Sequence, residues 1–351
     1  MSFFRDLFLR TARIFYNRFP VKTWRGLRLI CFDGTGLRLP DESWLGKAFG
    51  WHENQHGRVP SVRWLICFDL LNQILLDVRL HPRHQGELTI TAPLIPYLDK
   101  DVLAIYDRGF NSYLVPYLHQ LYGTHCLMRL KTDFSPLVVD FLNSGEKERL
   151  VECALTDRSV RALRQNGISA SKKDVVKFRL IRVELPKGQV EVLLTNLFHR
   201  QHFHHKHFAA LYQKRWGVET SIFVLKSFFQ AATFSSYSTH GVAQDIWALF
   251  AMYNLQSMLF AAQQKQLQQL CGKRLYLYRI NRNVGIGIIK RFSTSIFLEE
   301  IKAWQARIHC RPDELIRRFE PVRPQPGRER KRKILRGTER HIYESNYKQT
   351  L

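Results

Sequence analysis

The sequence has no Cys-x-x-Cys pair. Its six cysteines, Cys31, Cys67, Cys126, Cys153, Cys271 and Cys310, are scattered singly, with no spacing suited to zinc. Buried, reduced thiols are the expectation. Long apolar runs are missing too. The most apolar stretch, 246–262, is interrupted by Asn254 and Gln256, which predicts a buried core helix and not a membrane span. The first twenty residues, MSFFRDLFLRTARIFYNRFP, carry four arginines and one acid among many aromatics. They lack a continuous apolar run and a small-residue cleavage site, so they do not read as a targeting signal. No internal repeat is visible. Acids are scarce: 30 Asp and Glu stand against 54 Lys and Arg, a formal charge of +24 with no acidic tail to offset it. The partner is therefore polyanionic, and nucleic acid fits better than a membrane or an acidic substrate. What is present is 45% hydrophobic residues over 351 positions, enough for two modest domains or one domain with a large insertion.

One biased segment stands out, the basic stretch 323–340 with RERKRK at 328–333, suited to tracking phosphates or staying solvated. Near the start, LRLICF at 27–32 predicts a strand ending on Asp33-Gly34, and 63–70 with 73–80 predicts a hairpin. A helix-length segment cut by Pro93 and Pro96 follows at 87–98. After it VLAIY at 102–106 predicts a short strand ending on Asp107. A helix joining two strands of one sheet implies a right-handed crossover with those strands parallel. Asp33 and Asp107 are then expected side by side at matching strand ends. From 125 to 197 short strand-like runs separated by polar turns predict a mainly β insertion, and from 208 to about 262 the period turns helical.

The most informative stretch is YQKRWGVETSIFVLK at 212–226. Tyr212, Arg215, Glu219 and Lys226 are spaced by three, four and seven. At about 100° per residue they fall within about 60° of arc on one helix face. A carboxylate bracketed by two cations and a phenol suits phosphate transfer, with an acid to hold a metal and donors to grip phosphates. Taken alone, the stripe could equally be a solvated face with an ordinary Arg215–Glu219 ion pair. Asp33 and Asp107 change that balance, since each follows an apolar strand and precedes a glycine-containing turn, DGTG and DRGF. Three carboxylates from two strand ends and a helix suit a two-metal site.

These residues resemble the DDE transposases of insertion sequences, in the group with a Tyr-x2-Arg-x3-Glu-x6-Lys signature. The signature is complete at Tyr212, Arg215, Glu219 and Lys226, and DGTGLRLPD from Asp33 and YDRGF from Tyr106 resemble the two Asp motifs. The resemblance runs from about residue 27 to about 262. It implies a ribonuclease H-like α/β fold, a mixed sheet flanked by helices with a mainly β insertion between the second Asp and the Glu. It also implies cut-and-paste transposition, often through hairpin intermediates, with Mg²⁺ as cofactor at two ions per site and Mn²⁺ able to substitute. Asp33, Asp107 and Glu219 would be catalytic and metal-holding. Tyr212, Arg215 and Lys226 would bind DNA phosphates. The implied partners are double-stranded DNA, at inverted-repeat ends and target, and a second copy of the chain in a synaptic homodimer. The implied location is the bacterial cytoplasm, on the nucleoid. The corresponding division is a short basic segment at 1–26, catalytic parts at 27–124 and 201–265, the insertion at 125–200, and a basic, mostly helical region at 266–351.

The sequence departs from the family's pattern in two places. Only 32 residues precede Asp33 where relatives carry a DNA-binding region. That raises the alternative of an N-terminally shortened, non-catalytic derivative that blocks or regulates transposon ends; a host nuclease on the same fold is a third reading. No Trp lies between Trp64 and Trp216, so any base stacking in the insertion falls to Phe, Tyr or His.

Other signals carry less. The histidines at 199 and in HFHHKH at 202–207 lack a nearby Cys or acid and read as an exposed loop. Asp69, Asp77, Asp99 and Asp101 read as turn or surface acids, and Asp41 and Glu42 as helix caps or supports of the site. Arg108, Lys47 and Lys131 divide evenly between solvated residues and phosphate contacts. Trp216 and Phe223 read as core anchors.

Overall fold

The computed structural model describes residues 2–322 except 56, 83, 273–275, 288 and 290–318. Cys310 and the basic stretch 323–340 lie outside the described residues. The chain divides into two units, one made of Met1–Pro20 with Phe223–Leu351, the other of Val21–Ile222.

The first unit begins with α1 (Ser2–Arg18). The second contains β1 (Arg28–Arg38), α2 (Ser43–Phe49), β2 (Trp51–Asn54), β3 (Gly57–Asp69), β4 (Ile74–Pro82), α3 (Glu87–Thr91), β5 (Val102–Tyr106), α4 (Leu114–Tyr122) and β6 (His125–Leu130). It continues with α5 (Pro136–Ser144), β7 (Glu148–Ala154), α6 (Asp157–Gln165), β8 (Val175–Glu184), β9 (Val190–Thr195), α7 (Phe208–Gln213) and α8 (Trp216–Phe223).

Nine strands form one sheet in the order β2-β3-β1-β5-β6-β9-β8-β7, with β4 also on β3. β1, β3 and β4 form an antiparallel meander. β5 then lies parallel to β1, and β6 parallel to β5. This is the mixed sheet flanked by helices of a ribonuclease H-like fold. All five residues of β5 are buried, as a central parallel strand covered on both faces requires. The predicted helix at 87–98 is split: α3 gives way to a 3-10 turn at Ala92–Tyr97, where Pro93 and Pro96 cannot continue an α-helix.

Two features differ from the sequence reading. β1 does not end at Asp33-Gly34. Pairing with β5 stops at Cys31 opposite Ile105, but pairing with β3 runs on, Asp33 opposite Ile66 and Arg38 opposite Ser61. The polar, glycine-containing run DGTGLR stays extended because β3 satisfies its backbone groups. The segment read as an insertion also does not stand apart. β6 is inside the sheet, and β9, β8 and β7 extend the sheet beyond it. One core cluster therefore runs from Ile30 and Phe32 through Met128 to Phe178 and Leu194. Helices α5 and α6 belong to the same segment.

In the first unit, α9 (Thr239–Cys271) holds the apolar stretch 246–262 as a buried helix, and β10 (Leu277–Ile280) pairs with β11 (Phe319–Val322). Phe8 of α1 packs on Trp247 and Phe250 of α9. Asn254, polar and buried, donates to the Thr11 hydroxyl at 2.9 Å. That bond accounts for a polar residue in an apolar helix face. No helix among the described residues is long and apolar enough to cross a membrane.

Candidate active site

Asp33 and Asp107 meet where the parallel pairing of β1 and β5 gives out. Two positions beyond the Cys31–Ile105 pair, the register sets Asp33 opposite Asp107. One position earlier, the rings of Phe32 and Tyr106 stack at 5.7 Å with planes 9° apart. Behind them the Tyr106 hydroxyl is hydrogen-bonded to His119 Nε2 at 2.9 Å, and His119 Nδ1 to the Thr124 hydroxyl at 2.6 Å. Burial, reinforced by His125, lowers His119 to about 3 and keeps it neutral. The two acids thus stand on a dry, fixed floor.

Each acid is anchored by the glycine after it. The Gly34 amide donates to Asp33 Oδ1 at 2.9 Å, and the Gly109 amide to Asp107 Oδ1 at 2.8 Å, so Asp107 caps the turn Arg108–Phe110. Burial raises the Asp33 carboxyl to about 7, helped by the charges of Glu87 and Asp107 and opposed by Arg215 and the Gly34 amide.

The expected single helix face across 212–226 is replaced by three pieces. α7 ends at Gln213, and the amides of Arg215, Gly217 and Val218 each reach back three residues, a tight turn between α7 and α8. After α8 comes a π-helical turn, Val224–Phe228, which contains Lys226 and belongs to the other unit. The tight turn has a packing cause: Gly217 approaches Leu70, and a Cβ there would stand 3.3 Å from Leu70 Cδ2.

Three of the four signature residues are together nonetheless. Arg215 is buried, lies over the rings of Tyr212 (5.8 Å) and Trp216 (5.3 Å), and donates from Nη2 to Glu219 Oε1 at 2.6 Å. Tyr212 is buried, and burial raises its hydroxyl, with Asp107 adding to the rise while Arg215 and Arg129 oppose it. Arg215 acts electrostatically on Asp33 and bonds Glu219 directly, so Glu219 is joined to the aspartates through it. Among the described residues no three His, Cys, Asp or Glu side chains stand close enough to hold one ion.

Glu87 escaped the sequence reading. It opens α3, pairs with Arg63 Nη1 at 3.2 Å, and lies against Gly34. Burial raises its carboxyl, with Arg63 opposing and Asp107 adding. The only local signal was an acid in the first turn of the helix after the hairpin. Arg129 was missed too: the β5–β6 register continues from Tyr106 opposite Met128 to set it beside Asp107, and it pairs with Glu191 at 2.9 Å.

Trp216 and Phe223, expected as core anchors, are 59% and 57% exposed. Val218 and Ser221 take the buried side of α8 instead. Asp69 is fully buried and caps the β3–β4 turn, accepting from the amides of Leu71 and Asn72 at 3.0 Å each. Asp77 pairs with Arg79, and Asp99 and Asp101 both pair with Arg28. Glu42 occupies the position before α2 but makes no side-chain cap bond. In the histidine run, His199 and His204 use Nδ1 to accept the amides of His202 and Lys206, which ties the loop to itself.

Residues 24–255, well over half of the chain, match the family model of the transposase DDE domain. The chain belongs to this family. The motif resemblance is thereby borne out at family level. The transposase InsG of insertion sequence element IS4 from Escherichia coli strain K12 is 24% identical over 255 residues, covering 72% of this chain and 56% of that protein. The chain thus spans about half the length of that relative. Among solved structures, the cryo-EM piggyBac transposase synaptic complex with hairpin DNA aligns with a TM-score of 0.46 at 11% identity. That alignment covers 86% of this chain and 59% of the other.

Proposed function

We propose that this chain is a metal-dependent DNA transposase that cleaves strands at insertion-sequence ends and joins them to target DNA in a cut-and-paste reaction. The observation that carries the reading is the Asp33–Asp107 pair: in a transposase-family chain, two carboxylates share a partly dry site where burial and mutual repulsion already hold Asp33 near 7. An all-oxygen donor set with unbalanced negative charge fits a hard divalent cation, Mg²⁺ with Mn²⁺ as substitute. When bound, two such ions would activate the attacking oxygen and stabilise the leaving one.

The protein's own groups divide the remaining work. Asp33 and Asp107, fixed by the Gly34 and Gly109 amides, hold the cation side. Glu219 is the third acid, kept in reach by Arg215. Arg215 has a planar guanidinium suited to bidentate phosphate binding. A DNA phosphate that takes its place beside Arg215 frees Glu219 for the aspartates. Tyr212, with its raised hydroxyl, stays protonated and donates to phosphate, and Lys226 adds a further positive contact. The charge of +24 suits double-stranded DNA at inverted-repeat ends and at the target. Synapsis of two ends calls for a homodimer, and the reaction belongs in the bacterial cytoplasm, on the nucleoid.

The test is cleavage and strand transfer on a labelled duplex bearing the flanking inverted repeats, with Mg²⁺ or Mn²⁺. Asp107→Asn and Glu219→Gln are each expected to lower both rates roughly a thousandfold while DNA binding persists. Equal activity in the three proteins, or DNA binding with no chemistry in any of them, defeats this reading.

A further inference from the structure

Gly34 lies in an extended strand and has no positive φ, so its own backbone does not require a glycine. What requires it is Glu87. A Cβ at Gly34 would stand 2.3 Å from Glu87 Oε1, 2.6 Å from Cδ and 2.7 Å from Cγ. The carboxylate of Glu87 is therefore pressed onto the backbone of the residue that follows Asp33 and anchors it. Its place is set from two sides. Glu87 opens α3, and Arg63, opposite Gly36 in the β1–β3 register, holds its Oε1. An acid needed only to pair with Arg63 could face away from Asp33 and Asp107. Instead it is half-buried and raises the charge cost of a site that already holds two carboxylates, an arrangement that pays only if a cation joins them.

We propose that Glu87 is a fourth carboxylate of the candidate metal site, one that sets its affinity for a divalent cation together with Asp33 and Asp107. The proposal rests on the metal-dependent reading above. It also gives the glycine of the first Asp motif a function, to leave room for an acid 53 positions downstream.

The experiment is Mn²⁺ binding by the full, DNA-free chain, followed by electron paramagnetic resonance of free Mn²⁺. The proteins are native, Glu87→Gln, Gly34→Ala, the Gly34→Ala/Glu87→Gln double variant, and Asp107→Asn. Glu87→Gln is expected to weaken Mn²⁺ binding about 10- to 100-fold. The atoms blocking a Cβ at Gly34 are the flexible end of Glu87, so Gly34→Ala should fold and weaken Mn²⁺ binding similarly by displacing that side chain. The double variant should be no weaker than the worse single one, because both act on one group. Melting temperatures in EDTA control for folding. If Asp107→Asn loses Mn²⁺ while Glu87→Gln binds like the native chain, Glu87 serves only Arg63 and the proposal is overturned. Multiplied losses in the double variant overturn the link between Gly34 and Glu87. If Asp107→Asn itself binds like the native chain, the metal-dependent reading fails and takes this assignment with it.

Discussion

Replacing Asp33 with asparagine should make the metal-free protein more stable at alkaline pH. The carboxyl sits at about 7 against an ordinary 3.8, raised by burial and then by Glu87 and Asp107. A folded-state value above the unfolded one means stability that is fully present below about 4 and lost as pH rises through 7. Each tenfold change in proton affinity is about 1.4 kcal/mol, so holding Asp33 charged costs the fold at most about 4 kcal/mol. Asparagine keeps an oxygen for the Gly34 amide and carries no charge. In EDTA at pH 8, Asp33→Asn should therefore melt several degrees above the native chain, a difference of about 2–4 kcal/mol, and the two should converge at pH 4. Mn²⁺ should raise the native melting temperature at pH 8 and leave the variant nearly unmoved. Parallel melting profiles for both proteins from pH 4 to 8, or a variant less stable at pH 8, would refute the reasoning.

Two further outcomes follow from the buried polar groups. Arg179, fully buried, donates to the carbonyls of Leu197 (2.6 Å) and Phe203 (3.1 Å) and to Glu148, which Arg200 also holds at 3.1 Å. Arg179→Met should lower stability by about 3–5 kcal/mol in thermal unfolding, with part regained when Glu148→Gln removes the stranded charge. His119 is lowered to about 3, so its network contributes stability above about 6.5 that fades only as pH falls toward 3. Its imidazole ¹⁵N shifts should stay flat from pH 8 to 5; a titration near 6.5 would show that the network is wrongly drawn.

Legibility varied with the range of the causes. LRLICF and VLAIY were readable as strands because their burial is nearly complete and their apolar runs are local, and their partnership followed from the helix between them. The continuation of β1 through DGTGLR was not readable, because the bonds that keep it extended come from Val62–Leu65 in another strand. The break between α7 and α8 was equally hidden: YQKRWGVE has a helical period, and the tight turn answers to Leu70, far away in sequence. Glu87 lay outside the motifs because its meeting with Asp33 passes through the missing side chain of Gly34. Trp216 was misread because aromatic residues usually signal a core, and here Val218 and Ser221 fill that side of the helix.

The pairing of α1 with α9 has a consequence in time. Thr11 and Asn254, hydrogen-bonded to each other, are 243 positions apart in the chain. At about 5–20 residues per second, α1 leaves the ribosome on the order of ten to fifty seconds before its partner is made. Throughout that interval Phe8, Ala12 and Phe15, all buried in the finished protein, have no α9 to cover them, while the nine-stranded sheet is being completed. A ribosome that stalls before residue 239 would leave a nascent chain whose sheet is in hand and whose first helix is adhesive, a form suited to capture by chaperones.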